Sequence, residues 1–515
     1  MRLGIDFGTT RTVVAAVDRG NYPLLSFESP DGGVYDWFPS LLAVSRNQRV
    51  YGWQAWACQQ HSNWTIVRSL KRVLEDAGPN TILRVAGEEI PLMQVLREMA
   101  LALREWLPQD QKLEAMLGVP ANANGNQRFL TAEAFRSAGF DVIGLLNEPS
   151  AAGIEYGHKN KISGKLLVYD LGGGTFDASL VEIGDKTHRV IASDGIPTLG
   201  GDDFDHVLAE MAVSDEDQQG LSQAELFRLH EECRVKKEAI HPNTRKITLD
   251  LDDVREGWGS VSIAVAEYYE RCRPFMDESV HLVEDLLASD EASGLDTLYV
   301  TGGGSELPLV SRVLKETFGR RVRRSVHARS ATAIGLAIQA DQEAGYVLRE
   351  KFTRWFGVWR EGDAGRQIVF DPLFEKGTPL PGPGEQPVSI RRLYLPVHNI
   401  GDFRYLECSH LRDDGQPTGD VTVWDQIRFP FDPSLQQELN GEAVHHSEAA
   451  RDQLIEERYS CDAGGTVTVD IANLTSGYER QYRLGRWASK APAIDPVKKP
   501  RKRTASAATG TKRPG

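Results

Sequence analysis

One supersecondary unit occurs twice in this chain, and that repetition limits the possible folds more than any other feature. Residues 166–180 read LLVYDLGGGTFDASL. The apolar run Leu166, Leu167, Val168 has the pattern of a buried strand. It stops at Asp170, turns through Gly172, Gly173 and Gly174, and restarts as an alternating strand from Thr175. Glycines in such a turn let backbone N–H groups approach an anion closely, and Thr175 adds a hydroxyl donor. Asp170 and Asp177 would repel a bare phosphate, so they make sense beside it with a divalent cation between, usually held through water. Taken alone, the stretch reads equally as a plain β-hairpin with a Gly-rich turn. Residues 1–17, MRLGIDFGTTRTVVAAV, repeat the plan: strand, Asp6, a turn through Gly8, Thr9 and Thr10, strand. Asp6 matches Asp170, 164 positions on, and Gly8–Thr10 matches Gly172–Gly174. A duplicated α/β domain of this kind can close on one nucleotide from two sides.

The chain's 515 residues leave room for two to four domains, each with its own core. No run of eighteen apolar residues is present, so no membrane-spanning helix is expected. The N-terminus enters a strand without an apolar leader, so no secretory signal is expected. Cys58, Cys233, Cys272, Cys408 and Cys461 are odd in number, scattered and free of C-x-x-C spacing. That pattern fits a reducing, cytoplasmic setting and argues against a disulfide framework or zinc site. The adjacent His445 and His446 stand in a polar stretch and are expected at the surface. The net charge of −14 divides into +7 over residues 490–515 and −21 over the rest. An acidic body with a short basic tail is not expected to bind nucleic acid.

Periodicity predicts hairpins over residues 19–50, a helix over Ser62–Asp76, a short hairpin near Ala86–Ile90 and an amphipathic helix over Pro91–Leu107. Ala115–Pro120 and Val142–Leu146 read as strands, and Arg128–Ala138 as a helix ending at Gly139. Glu148 follows an apolar run and opens a helix of small residues (Ser150, Ala151, Ala152, Gly153), which allows close packing and would hold the carboxylate in a cleft. Gly200, Gly201 and Asp202 open another helix, whose N-terminal N–H groups favour phosphate. A strand ending at Thr301 runs into Gly302, Gly303 and Gly304, and Ser330–Ala340 reads as a closely packed helix.

The wording IDFGTT, NEPSAAGIEYG (Asn147–Gly157), VYDLGGGTFD and LGGDDFD (Leu199–Asp205) resembles, in order and spacing, the 70-kDa heat-shock chaperones of DnaK type. The resemblance is close over residues 1–340 and fainter over 352–487. It implies an actin-like ATPase domain of two lobes (1–340), a linker (341–351) and a β-sandwich resembling the family's peptide-binding domain (352–487). ATP and Mg²⁺ are the implied cofactors. Lys71, in RSLKRVLED, matches the family's catalytic lysine, with Glu148, Asp170 and Thr175 as further catalytic groups. Asp6 and Asp170 would hold Mg²⁺ through water. The implied nucleotide-binding residues are Gly8, Thr9, Thr10, Arg11, Gly172–Gly174, Gly200, Gly201, Asp202, Lys237 and Gly302–Gly304. Pro120 and Arg128 match the pair implied to relay nucleotide state between domains. The implied function is a chaperone, with roles in protein folding and stress response, that slowly hydrolyses ATP and binds unfolded or extended polypeptide. A dedicated co-chaperone or exchange factor is a possible partner. The alternatives are a nucleotide-gated scaffold with little turnover and a small-molecule kinase on the same fold, for which no sugar-binding signature is recognisable.

Several positions depart from the family pattern. Aligned on Cys233, Lys237 keeps the family's lysine, while Arg234 and Glu238 stand where Glu and Arg are usual; a one-residue shift would select Lys236 instead. Glu306 replaces an arginine after the Gly turn, and Arg329 an aspartate. These changes imply weaker ATP binding or tolerance of another base. Arg11, where an uncharged residue is usual, either adds a cation near the phosphates or points to solvent. Gly144 replaces an arginine used in docking J-domain partners. In the linker only Tyr346, Val347 and Leu348 resemble the family's leucine run. Short alternating stretches from Phe356 to Leu484 predict the sandwich, with Phe374–Pro381 and Gly464–Gly477 resembling family segments and a helix expected over Gln436–Glu457. No family-type helical lid is expected after Trp487, and residues 488–515 read as a disordered basic tail.

Overall fold

A computed structural model gives the architecture. It describes residues 1–484 apart from Asn47, Ser62, 75–76, Pro79, 161–162, Asp185, 289–291, 363–366, 382–384, Glu438, Asn440, 463–464 and Thr466. The expected basic tail lies outside the described residues.

The two look-alike hairpins sit at the centres of two sheets. The first hairpin pairs Arg2–Phe7 with Arg11–Ala16, antiparallel, with Leu3 opposite Ala16 and Phe7 opposite Thr12. Its sheet runs in the order Asp141–Asn147, Glu114–Val119, Arg2–Phe7, Arg11–Ala16, Phe38–Pro39. The second hairpin pairs Gly164–Leu171 with Phe176–Ile183, setting Asp170 opposite Asp177. It lies within a six-stranded sheet that also holds Thr187–Ile196, Leu295–Thr301, Val322–Arg324 and Val347–Arg349. Each sheet therefore carries its Asp and its Gly turn at the same end of its central strand. The two lobes of an actin-like fold follow from that duplication.

Helices Glu148–Asn160 and Ala331–Ala340 pack between the lobes. Their small residues set the spacing, because at several places backbone meets backbone. A Cβ at Gly335 would collide with the Ala151 carbonyl, and one at Gly4 with the main chain of Ala337 and Ala333. The strand that carries Asp6 is thereby held directly against helix Ala331–Ala340.

Among the described residues, two expected helices are much shorter than predicted. Within Ser62–Asp76, Thr65–Val67 is a strand paired with Leu42–Ser45, and only Leu70–Val73 is helical. Ser69 separates them with φ 60°, a left-handed conformation uncommon outside glycine. Over Gln436–Glu457 only Glu448–Arg451 forms an α-helix, and Ile455–Cys461 is a strand. By contrast, the helix predicted over 91–107 forms at Leu92–Glu105, and Gly139 takes φ 90° after Gly125–Ser137, as a terminating glycine requires.

Residues 355–484 form two four-stranded antiparallel sheets, ordered Gln367–Phe374, Trp355–Gly362, Ile400–Leu411, Pro417–Pro430 and Val388–Tyr394, Ile455–Cys461, Val467–Asn473, Tyr478–Arg483. Phe356, Tyr405, Phe429, Tyr459 and Ile471 fill the space between them. This β-sandwich meets the first lobe where Glu407 accepts from the Gly125 N–H at 2.6 Å. A side chain at Gly125 would run into the Trp424 ring. Residues 347–349, in the stretch expected as a linker, pair in parallel with Thr187–Arg189. Among the described residues no helix is long and apolar enough to cross a membrane. The five cysteines are free.

Because Gly335 faces main chain rather than a flexible side chain, its neighbour cannot yield cheaply. Gly335→Val is expected to destabilise the fold by about 1–3 kcal/mol or more, the range for overpacking. A melting temperature equal to the wild type would contradict that packing.

Candidate nucleotide site

The Gly turns of the two hairpins face each other across a cleft. A Cβ at Gly174 would lie 2.7 Å from Thr9, and one at Gly173 would strike the Thr10 hydroxyl. Glycine is required here by close approach of the two turns, not by a special φ. Asp6, Gly8, Thr9, Thr10, Arg11, Gly172, Gly173 and Thr175 line the cleft, with Lys71, Glu148 and Asp170 at its floor. Asp202, Lys237 and Gly302–Gly304 complete the wall. The folding chain thus brings together nearly all the residues singled out from the sequence.

Gly200 and Gly174 do not line the cavity. They mark where the opening of helix Gly201–Ala212 presses on the second hairpin, a Cβ at Gly200 lying 2.6 Å from the Gly174 nitrogen. The Gly201 and Asp202 amides, expected to face phosphate, donate instead to the carbonyls of Gly172 (3.0 Å) and Gly173 (2.7 Å). The helix terminus is used to brace the turn. Lys237, rather than Lys236, reaches the cleft. It pairs with Asp205 at 2.7 Å and donates to the Gly201 carbonyl at 2.5 Å, whereas Lys236 pairs with Glu232 on the outer side of its helix.

Lys71 reaches the floor from the misread segment, and tertiary contacts explain why. The Ser69 hydroxyl donates to Asp202 at 2.5 Å. Arg72 donates to the Gly174 carbonyl at 2.9 Å and to Asp203 at 2.6 Å. The left-handed Ser69 and these cross-lobe bonds turn Lys71 inward, where it pairs with Glu148. Both side chains are under a tenth exposed, at 7% and 8%. Ser69 and Arg72 were not singled out from the sequence. Nothing local marks them, since their partners lie more than 100 positions away.

Asp6, Glu148, Asp170 and Asp177 surround the single cation of Lys71. Burial, then the charge of Glu148, raises the Asp6 carboxyl to about 7 against the pull of Lys71. Burial and Glu148 likewise raise Asp177 to about 7, and burial with three neighbouring acids lifts Asp170 well above its ordinary value. Burial alone would lower Lys71, but Glu148, Asp6 and Asp177 more than offset it and hold it protonated. The floor therefore carries an excess of negative charge that a divalent cation would relieve. Among the described residues no three acidic or histidine side chains converge as a direct ligand set. The fit to Mg²⁺ is thus one of charge.

Pro120 and Arg128 stand behind the floor. The Ala121 N–H, next to Pro120, donates to Asp177 at 2.8 Å. Arg128 donates to the Asn147 side chain at 3.0 Å, and the Asn147 N–H donates to Glu350 at 3.0 Å. Asn147 directly precedes Glu148, so one peptide unit separates the cleft from residue 350 beside the β-sandwich.

Duplicated lobes with opposed glycine turns over a carboxylate floor define an actin-like fold. Comparison with known sequences narrows it. The family model described as "Hsp70 protein" matches residues 80–351. A "Chaperone protein dnaK" of Thalassiosira pseudonana is 29% identical over 384 residues, covering 67% of this chain and 63% of that protein. A "Chaperone protein HscA homolog" of Variovorax paradoxus (strain S110) is 30% identical over 373 residues, covering 67% and 58%. Another HscA homolog, of Pseudoalteromonas atlantica, is 31% identical over 369 residues. The chain belongs to the Hsp70 family. It matches about six-tenths of the length of these relatives.

The acid crowding has a pH signature. A carboxyl raised from 3.8 to about 7 binds its proton more tightly in the folded state. Its contribution to stability is full below about pH 4 and is lost as pH rises through 7. Asp177→Asn keeps an acceptor for the Ala121 N–H and removes the charge. Without divalent cations it should be more stable than wild type at pH 8 by roughly 1–3 kcal/mol, with the gap shrinking by pH 5. Paired thermal melts would show this, and a pH-independent gap would contradict it.

Proposed function

We propose that this chain is a chaperone that binds and slowly hydrolyses ATP in its duplicated lobes and binds extended polypeptide through its β-sandwich. The observation that carries the first half is the pairing of opposed turns, Gly8–Thr10 against Gly172–Thr175, over the Lys71–Glu148 pair. Turn N–H groups and threonine hydroxyls would clasp a triphosphate from both sides. Lys71 would neutralise charge developing on the terminal phosphate and position the attacking water, with Glu148 orienting that water. Asp6 and Asp170 would hold Mg²⁺ through water, and the ion, when bound, supplies charge neutralisation of the phosphates. Thr175 would add a hydroxyl donor at the transferring group. Catalysis of this kind is mostly positioning and electrostatics.

Family membership supports the second half, together with a two-sheet domain able to take an extended peptide by backbone pairing. The contacts from Glu350 through Asn147 to Glu148, flanked by Arg128 and by Pro120 near Asp177, supply a route between the halves. Unfolded segments are the proposed clients, with a dedicated co-chaperone or exchange factor as a further partner. A cytoplasmic setting fits the free cysteines.

Single-turnover hydrolysis of Mg²⁺–ATP tests this reading. The wild type should turn over slowly, and Lys71→Ala should lower the rate at least about 100-fold while leaving nucleotide affinity within a few-fold. Adding an unfolded peptide should change the wild-type rate. A Lys71→Ala protein that hydrolyses at the wild-type rate would refute the role of that residue. Tight binding with no turnover would favour the nucleotide-gated scaffold.

A further inference from the structure

The far end of the cleft, away from the acidic floor, holds an ion network that the phosphate chemistry does not use. Glu238, the last residue of helix Gln223–Glu238, is its hub. Arg11 of the first lobe donates to both Glu238 oxygens, at 3.0 and 2.8 Å. Arg234 donates to the same carboxylate at 2.8 Å, and Arg329 lies 3.1 Å from it. Arg329 also donates to Glu306 at 2.5 Å. The Arg11 guanidinium lies over the Trp37 ring at 4.9 Å, so it neither joins the phosphate turns nor points to solvent. Despite the burial that opposes it, Glu238 is held down to about 2 by Arg11, Arg234 and Arg329.

Arg11, Arg234, Glu238 and Arg329 line the same cavity as the Gly turns, with Glu306 held behind them by Arg329. With the triphosphate against those turns, ribose and base must extend toward Glu238. The cavity left there and at the floor together is about 120 Å³. Pockets that take whole ligands usually run to roughly 300–1,000 Å³. The charge swaps read from the sequence are thus mutually satisfying: each acid that replaced an arginine, Glu238 and Glu306, now pairs with an arginine that replaced an acid, Arg234 or Arg329. Arg11, Arg234 and Arg329, the three guanidiniums lining this end, each pair with the Glu238 carboxylate.

We propose that the Arg11–Glu238–Arg329–Glu306 network fills the base end of the cleft, so that the protein selects nucleoside triphosphates by their phosphates and not by their base. Glu238 is then the specificity-determining residue. It holds three guanidiniums in place by their N–H groups, so these donors do not read the edge of a base that enters, and a bound base must lie over the network with no preferred hydrogen-bonding edge. This rests on the cleft being a nucleotide site.

Competition binding on the full chain with Mg²⁺ separates the two ideas, using ATP, GTP, CTP and inorganic tripolyphosphate as probes. The wild type should bind the three nucleotides within about 3-fold of one another and tripolyphosphate within about 10-fold of ATP. Glu238→Gln releases the arginines for stacking, so ATP should tighten roughly 5- to 30-fold more than tripolyphosphate does. A wild-type preference above 10-fold for one base would overturn the inference and leave the nucleotide site intact. So would a Glu238→Gln protein, shown folded by its melting curve, that shifts ATP and tripolyphosphate equally. Failure of all four probes to bind would instead remove the nucleotide reading itself. The wild-type comparison decides the matter even if the variant does not fold.

Discussion

The structure depends on burying four carboxylates around one lysine. Asp6 and Asp170 stand one residue before the ends of the central strands of two sheets, Asp177 faces Asp170 across a hairpin, and Glu148 starts the helix between the lobes. Among the described residues Lys71 is the cation set among them. Such an arrangement costs stability wherever the acids are ionised. The surrounding scaffold holds it in place by backbone-to-backbone packing at Gly4, Gly335, Gly200 and Gly304, where side chains would not fit. Carboxyl groups perturbed in this way cluster at functional sites.

The two ends of the cleft follow opposite rules. At the floor, Asp6, Glu148, Asp170 and Asp177 outnumber Lys71, so charge is unbalanced. At the far end, Glu238, Glu306, Arg11, Arg234 and Arg329 balance one another. Cross-lobe contacts reinforce this, with Arg68 pairing to Glu231 and Arg72 to Asp203. The lobes are therefore tied by ion pairs at one end and poised by acid repulsion at the other. A ligand entering the cleft exchanges the second condition for neutrality while contending with the first.

The hairpins were legible in the sequence because everything that defines them is local: an apolar run, an Asp, a Gly turn. Helix Leu92–Glu105 was legible for the same reason, through its periodic apolar face. The Lys71 segment was not. Val67, Leu70, Lys71, Val73 and Leu74 have helical spacing, yet Thr65–Val67 is a strand, and Ser69 is left-handed because Asp202, Gly174 and Asp203 of the other lobe hold the segment. Strand Ile455–Cys461 was hidden by its charges. Glu457 is fully buried but paired to Arg360 at 2.6 Å, so its acid is satisfied by a partner on the opposing sheet. Single substitutions at 234, 238, 306 and 329 were visible individually. That they complete one another became apparent only from the fold.

The central claim is that two opposed glycine turns grip one triphosphate above an acidic floor. A crystal structure of the full chain with Mg²⁺ and a non-hydrolysable ATP analogue tests it most directly. The account predicts density for the β- and γ-phosphates between Gly8–Thr10 and Gly172–Thr175, with Lys71 turned toward the terminal phosphate. Density for the analogue elsewhere, or a cleft still closed by Thr9, Thr10 and the Lys71–Glu148 pair at saturating ligand, would contradict it.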